Sequence, residues 1–384
     1  MVTEMLSRIL QAPKQSFFLM GPRGSGKSTW LRSTFPDAHV INLLSESTYQ
    51  RLLADPGHFA NELRAIPSDR WVVVDEVQRL PGLLNEVHRF IEEKRLRFVL
   101  CGSSARKLKR TDVNLLAGRA LRRFMHPFVP EELGENLDLD TALRFGMLPI
   151  VWDSDAKEET LAAYAQLYLK EEIQAEALVR NLPGFVRFLP IAALFHSQTV
   201  NVSNIAREAG VARTTVAGYL DILEETLLCF RLPAYEAKLR VRERKLPKWY
   251  WCDPGIVRAM KRTSGEVVPE ERGALFEGMV AQLIRAYIDY HGICDKMFYW
   301  ASAGSSKAEV DFLLVRGAEL IAVEAKSGRN FNEVWCKGLR AVAGLKGLHR
   351  RIIVYPNGAV LRTKDGIDVV PYQLFAEQLA GKFF

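Results

Sequence analysis

Nowhere in these 384 residues does an apolar run approach the ~18 residues of a membrane span, so no membrane partner is expected. The opening stretch MVTEMLSRIL carries an early acid and alternates polar with apolar side chains, unlike a signal peptide. Cysteine is sparse. Cys101, Cys229, Cys252, Cys294 and Cys336 stand far apart without a paired spacing, which argues against a disulfide framework or zinc ribbon and for a cytoplasmic setting. The seven histidines form no HExxH spacing, so a histidine-built metal site is not expected. Acid is scarce in one place: between Arg231 and Arg262 only Glu236, Glu243 and Asp253 oppose a dense set of cations. With a net charge of +7, this clustering suits a polyanionic partner such as DNA, though a solvated surface has the same composition. The chain is otherwise ordinary for a globular protein, and its length suggests two or three domains.

What is present begins with a loop. After Phe17-Phe18-Leu19 come Gly21, Pro22, Arg23, Gly24, Ser25, Gly26, Lys27, Ser28 and Thr29, which fit G-x-x-x-x-G-K-[ST]. The context is right as well, with an apolar strand before the loop and a helix opening at Gly26. Glycines let the backbone approach phosphates, and the N–H groups of a helix N-terminus point at them. In this reading Lys27 reaches the β- and γ-phosphates of ATP, and the Ser28 hydroxyl ligates Mg²⁺. The segment WVVVDE at 71–76 is a buried, β-branched strand ending in two acids. Asp75 would hold the Mg²⁺ through water, and Glu76 would polarise the attacking water. A third apolar strand, RFVLCGSS at 97–104, ends in hydroxyls where a γ-phosphate-sensing group belongs. Ser103 and Ser104 are the candidates; turn formers closing a strand would look the same.

The order GPRGSGKST, VVVDEVQRLP, VLCGSSARKL and LLAGRA resembles the AAA+-type ATPases of prokaryotes that carry a fused C-terminal domain of unknown function. The resemblance continues through FGMLP (145–149), WYWCDPGI (249–256), GALFEGMV (273–280) and AEVDFLLV (308–315). It implies an α/β fold in three parts: an AAA+-type P-loop ATPase core at 1–130, a helical and winged-helix segment at 131–245, and a restriction-nuclease-like domain at 246–384. It also implies a homo-oligomer in which an arginine from a neighbouring subunit completes the ATP site, with Arg119 and Arg106 as the positions to test. Cys101 stands where the family usually has threonine, and a thiol is the poorer hydrogen bonder, so the sensing role shifts to Ser103.

In the middle segment, VSNIAREAGVARTTVAGYLDIL reads as helix, glycine turn and helix. Arg213, Thr214 and Thr215 open the second helix, where a DNA-binding unit makes its contacts; packing modules share the pattern. The following KLRVRERK, read as a strand, puts Lys238, Arg240, Arg242 and Arg244 on one face.

Nucleases of the PD-(D/E)xK class need an acid on one strand and Glu-x-Lys on the next. Glu-x-Lys occurs at Glu92/Lys94, Glu236/Lys238, Glu243/Lys245 and Glu324/Lys326, and geometry selects the last. EVDFLLV and LIAVEAK flank RGAE as a hairpin, and a two-residue Gly317-Ala318 turn sets Asp311 opposite Glu324 and Glu309 opposite Lys326. Opposed carboxylates with stems about 5 Å apart repel, and a Mg²⁺ or Mn²⁺ ion between them would remove the cost. Glu277, in helical line with Ala281, Ile284 and Ile288, could complete the metal shell, and Lys326 would act on the developing charge. The resemblance to the nuclease class maps onto Glu277, Asp311, Glu324 and Lys326. The expected function is an ATP-dependent, DNA-associated ATPase with a metal-dependent nuclease lobe. Two alternatives stay open: a switch whose lobe only docks DNA or protein, and a purely protein-directed ATPase.

Overall fold

Strands apolar on both faces must be covered on both faces, and β1 (Phe17–Met20), β3 (Trp71–Asp75) and β4 (Arg97–Gly102) meet that requirement at the centre of a parallel sheet. The strand order is β2-β3-β4-β1-β5, with β2 at His39–Asn42 and β5 at Leu121–Phe124. Every pairing in it is parallel. On one side Phe18, Val74, Phe98 and Leu100 pack with Phe59, Leu63 and Val87. On the other, Phe17, Trp30, Phe35 and Trp71 form an aromatic nest that fixes the helix Lys27–Thr34 to the sheet.

The computed structural model describes residues 6–103, 116, 118–168, 182–236, 245–303, 308–381 and 383–384. They fall into two units. This parallel sheet belongs to Ser7–His126 with Glu225–Leu227, and the second unit includes Pro127–Glu224 and Leu228–Phe384. Ser104, Arg106, Lys238, Arg240, Arg242 and Arg244 lie outside the described residues.

In the second unit, Asn201 caps the helix Val202–Ala209 through Oδ1, which accepts from Ser203 N at 3.0 Å, and Gly210 ends it at φ 64°. The helix Arg213–Glu225 follows, with Val216, Leu220 and Leu223 buried as the stripe requires. An antiparallel sheet β6-β8-β7 comes next, from Gln198–Thr199, Lys248–Trp251 and Cys229–Leu232. A six-stranded mixed sheet then runs β13-β14-β12-β11-β10-β9. Its strands are β9 (Lys296–Ala301), β10 (Glu309–Arg316), β11 (Glu319–Ala325), β12 (Leu348–Tyr355), β13 (Leu361–Arg362) and β14 (Ile367–Pro371). The 23-residue helix Pro269–His291 lies against β8 and β11. No described helix is long and apolar enough to cross a membrane.

Candidate functional site

In a parallel sheet the carboxyl ends of neighbouring strands open onto one edge, where ligands bind. Here β1 leads into Gly21, β3 into Glu76 and β4 into Ser103. The loop after β1 holds its shape by backbone means. Gly24 and Gly26 have φ of 74° and 86°, a region that favours glycine. At Gly21 an added Cβ would stand 2.4 Å from Met125 O, so only glycine fits. Lys27, buried, donates from Nζ to Gly21 O at 2.8 Å and Pro22 O at 3.1 Å. Arg8, which sequence reasoning missed, braces the loop by donating to Ser25 O at 2.7 Å and His126 O at 2.6 Å. No pattern marks it, because its partners are backbone carbonyls far along the chain. Arg23 and Ser28 are exposed, Ser25 is buried and Thr29 half-buried.

Ser28 Oγ donates to Asp75 Oδ2 at 3.2 Å, which brings together the two side chains expected at the metal. Glu76 sits in the left-handed region at φ 58°, ψ 43°, a conformation that costs a non-glycine residue roughly 1–2 kcal/mol. Its carboxylate accepts from Gln78 Nε2, and from Ser103 Oγ at 3.4 Å. Gln78 Nε2 also reaches Ser103 Oγ at 3.3 Å. Cys101 is buried beside Asp75; burial first, then that carboxylate, pushes its thiol well above the ordinary range and keeps it neutral. Arg119 is half-exposed and paired with Glu92 of its own chain.

The hairpin of the C-terminal lobe has the expected register, pairing Arg316 with Glu319 and continuing to Phe312 with Val323. Asp311 and Glu324 come together as expected. Ala325 N donates to Asp311 Oδ2 at 2.9 Å, and Asp311 N to Glu324 Oε2 at 3.3 Å. A β-bulge toward β9 between Val310 and Leu313 re-aims this part of the strand. The surprise is Lys248, on β8, whose side chain is 4% exposed. Its Nζ lies 2.9 Å from Glu277 Oε1 and 3.4 Å from Asp311 Oδ1, and it also pairs with Glu309. Tyr250 OH donates to the same Glu277 oxygen at 2.6 Å. Lys326, one residue past β11, donates to Glu324 Oε1 at 2.5 Å, and Glu309 pairs with Lys248.

Burial, then the charge of Asp311, raises Glu277 to about 7 and pushes Glu324 well above the carboxylate range. Burial also opposes the charge on Lys248, but Glu277, Asp311 and Glu309 outweigh it and hold its pKa well above the ordinary lysine value. Among the described residues no group of three or more His, Cys, Asp or Glu side chains is arranged to hold a metal ion. Of the ligand set expected at Glu277, Asp311 and Glu324, the first two pair with the Lys248 ammonium, and Glu324 pairs with Lys326. Lys248 was missed because in sequence it reads as one more cation of the basic stretch. Others of that stretch are also engaged within the fold. Arg231 pairs with Asp221 and Glu224, and Arg258 with Glu271 and the carbonyls of Arg144, Gly265 and Glu266.

Residues 13–134 match the family described as an AAA domain. Residues 136–266 match a Domain of unknown function (DUF8612), and residues 272–375 another, DUF4143. The chain is 25% identical over 362 residues to two uncharacterized proteins, Mb2031c of Mycobacterium bovis and Rv2008c of Mycobacterium tuberculosis, across 92% of this chain and 79% of theirs. A solved Signal Transduction ATPase with Numerous Domains protein from Pyrococcus horikoshii shares 13% identity over 71% of this chain and 45% of its own. Its TM-score is 0.25. The chain carries an AAA-type P-loop ATPase domain, followed by a C-terminal domain of unknown function.

Proposed function

We propose that this protein is an ATP-driven switch whose C-terminal lobe docks DNA without cutting it. The observation that carries the reading is Lys248, which supplies from within the chain the cation that a nuclease would take from solution. At the ATP site, phosphate oxygens would take over the protons that Lys27 gives to Gly21 and Pro22. The donor set there fits Mg²⁺: Ser28 and Asp75 offer a hydroxyl and a carboxylate oxygen side by side. When bound, that ion would neutralise charge on the β- and γ-phosphates. Glu76 would orient and deprotonate the attacking water, and Ser103, which touches Glu76, would report the γ-phosphate to it.

Support for DNA docking is the helix–Gly210–helix unit, which leaves Arg213 and Thr214 exposed at the start of its second helix. The sequence adds cations at Lys238, Arg240, Arg242 and Arg244. A second reading, a metal-dependent nuclease, draws on the Asp311–Glu324 contact. It requires Lys248 to leave its place.

One experiment separates the two. Purified protein is incubated with single-stranded, duplex and branched DNA, with and without ATP, in Mg²⁺ and in Mn²⁺. The expected result is ATP turnover and DNA binding whose log–log salt slope shrinks by about 0.9 for each phosphate contact removed by serine substitution at 238–244. No strand scission is expected. Cutting that disappears in Asp311→Asn would establish the nuclease instead.

A further inference from the structure

We infer that Lys248 is the resident cation of the acid cluster in the C-terminal lobe, and that it occupies the place a divalent metal ion would otherwise take. The inference rests on the metal-free reading of the lobe and adds what excludes the metal.

An ammonium has three protons to donate. Three carboxylates surround this one: Glu277 on the long helix, and Glu309 and Asp311 on β10. The stoichiometry is closed. Oxygens of Asp311 and Glu324 that do not face Lys248 are engaged as well. Asp311 Oδ2 accepts from Ala325 N, Glu324 Oε2 from Asp311 N, and Glu324 Oε1 from Lys326. Tyr250, two residues beyond Lys248 and so on the same face of β8, adds a further donor to Glu277 Oε1.

A hard divalent ion needs around six oxygen ligands at short range. Binding one here would strip hydrogen bonds from a buried network and set a second cation against the ammonium, which buried surroundings screen poorly. Fully ionised, the four acids and two lysines leave two negative charges. Deleting the charge of Lys248 leaves three and opens a position lined by Glu277, Glu309 and Asp311. That is a site for a divalent ion, and carboxylate oxygens suit Mn²⁺.

Lys248→Met preserves the length of the stem and removes the charge. The test is thermal unfolding of the nucleotide-free, full-length protein over a Mn²⁺ titration. Wild type should melt at a constant temperature. Lys248→Met should melt lower without metal and gain several degrees with Mn²⁺, and adding Asp311→Asn should abolish that gain. A folded Lys248→Met whose melting ignores Mn²⁺ overturns the inference and leaves the docking function standing. A Mn²⁺-induced rise in wild type that Asp311→Asn removes also overturns it, because metal and ammonium would then share the site. If Lys248→Met is recovered folded only in Mn²⁺, the inference is upheld. If neither it nor Lys248→Gln folds with or without Mn²⁺, no ion replaces the ammonium and the inference fails. Wild-type cutting of DNA is a separate readout, and it bears first on the docking function.

Discussion

In the proposed function single side chains would carry the ATP chemistry, and each makes a different prediction. Lys27→Ala removes the ammonium that would meet phosphate charge, so tight ATP binding should be lost in a fluorescent-nucleotide titration. Glu76→Gln keeps Ser28 and Asp75 in contact, so it should bind ATP normally and hold it unhydrolysed. Undiminished turnover in that variant would remove Glu76 from the reaction. His196 makes a prediction about pH. Its Nδ1 accepts from Trp251 N at 3.1 Å, and burial, helped by the charge of Lys261, lowers its pKa to about 3. The folded chain then refuses a proton that the unfolded chain accepts below about 6.5. Stability from this residue is complete above that value and is lost as pH falls toward 3. Between pH 7 and pH 5 the loss should be about 2 kcal/mol by urea denaturation. His196→Gln, which keeps an acceptor for Trp251, should flatten that part of the acid limb.

At the scale of elements, three of the sequence signatures prove to be parts of one packing arrangement. FGMLP and WYWCDPGI meet through Asp253, whose carboxylate accepts from Met147 N at 2.6 Å and from Ile256 N at 3.2 Å, capping the helix Pro254–Lys261. Gly146 and Gly255 are the price of that approach, since a Cβ would stand 1.8 Å from Asp253 Oδ1 or 2.0 Å from Phe145 O. GALFEGMV contributes Gly278, over which the ring of His196 lies 2.0 Å from where a Cβ would be. Gly278→Ala must therefore displace a buried ring held by Trp251, and roughly 1–3 kcal/mol of destabilisation is expected. A variant with wild-type stability in the same denaturation would show that the helix can shift to admit the methyl group. These glycines and Asp253 serve packing, and the motifs look functional because close backbone approach restricts residue type as tightly as chemistry does.

For the whole molecule, the division into two units predicts how ligands act on stability. ATP with Mg²⁺ should raise the melting of the unit that contains the loop, because a ligand stabilises the fold that holds its site. Calorimetry should resolve two transitions, with the nucleotide moving one of them, and Lys27→Ala should abolish that shift. A single transition that moves as a whole would show that the two units unfold together. Charge has to be judged at this scale too. The basic stretch from Arg231 to Arg262 looks continuous in sequence, yet Arg231, Lys248 and Arg258 are engaged by acids of the fold. The proposed binding to DNA would therefore draw on fewer cations than composition suggests.

The sequence by itself determined the P-loop, which is the candidate ATP site, and the hairpin, because both are local. The loop Gly21–Ser28 lies in one stretch of chain, the strand 71–76 carries its acids at its end, and a two-residue turn sets the register that joins Asp311 to Glu324. Period and turn chemistry act over a few residues, so they can be read directly. Only the tertiary structure decided what neutralises the acids. Lys248 is 63 residues from Asp311 in the chain, and nothing in the pattern around it distinguishes a lysine facing water from one facing carboxylates. Arg8, 118 residues from His126, was hidden for the same reason. Burial and partnership of a charge depend on which distant strands pack together, and packing is a property of the folded chain.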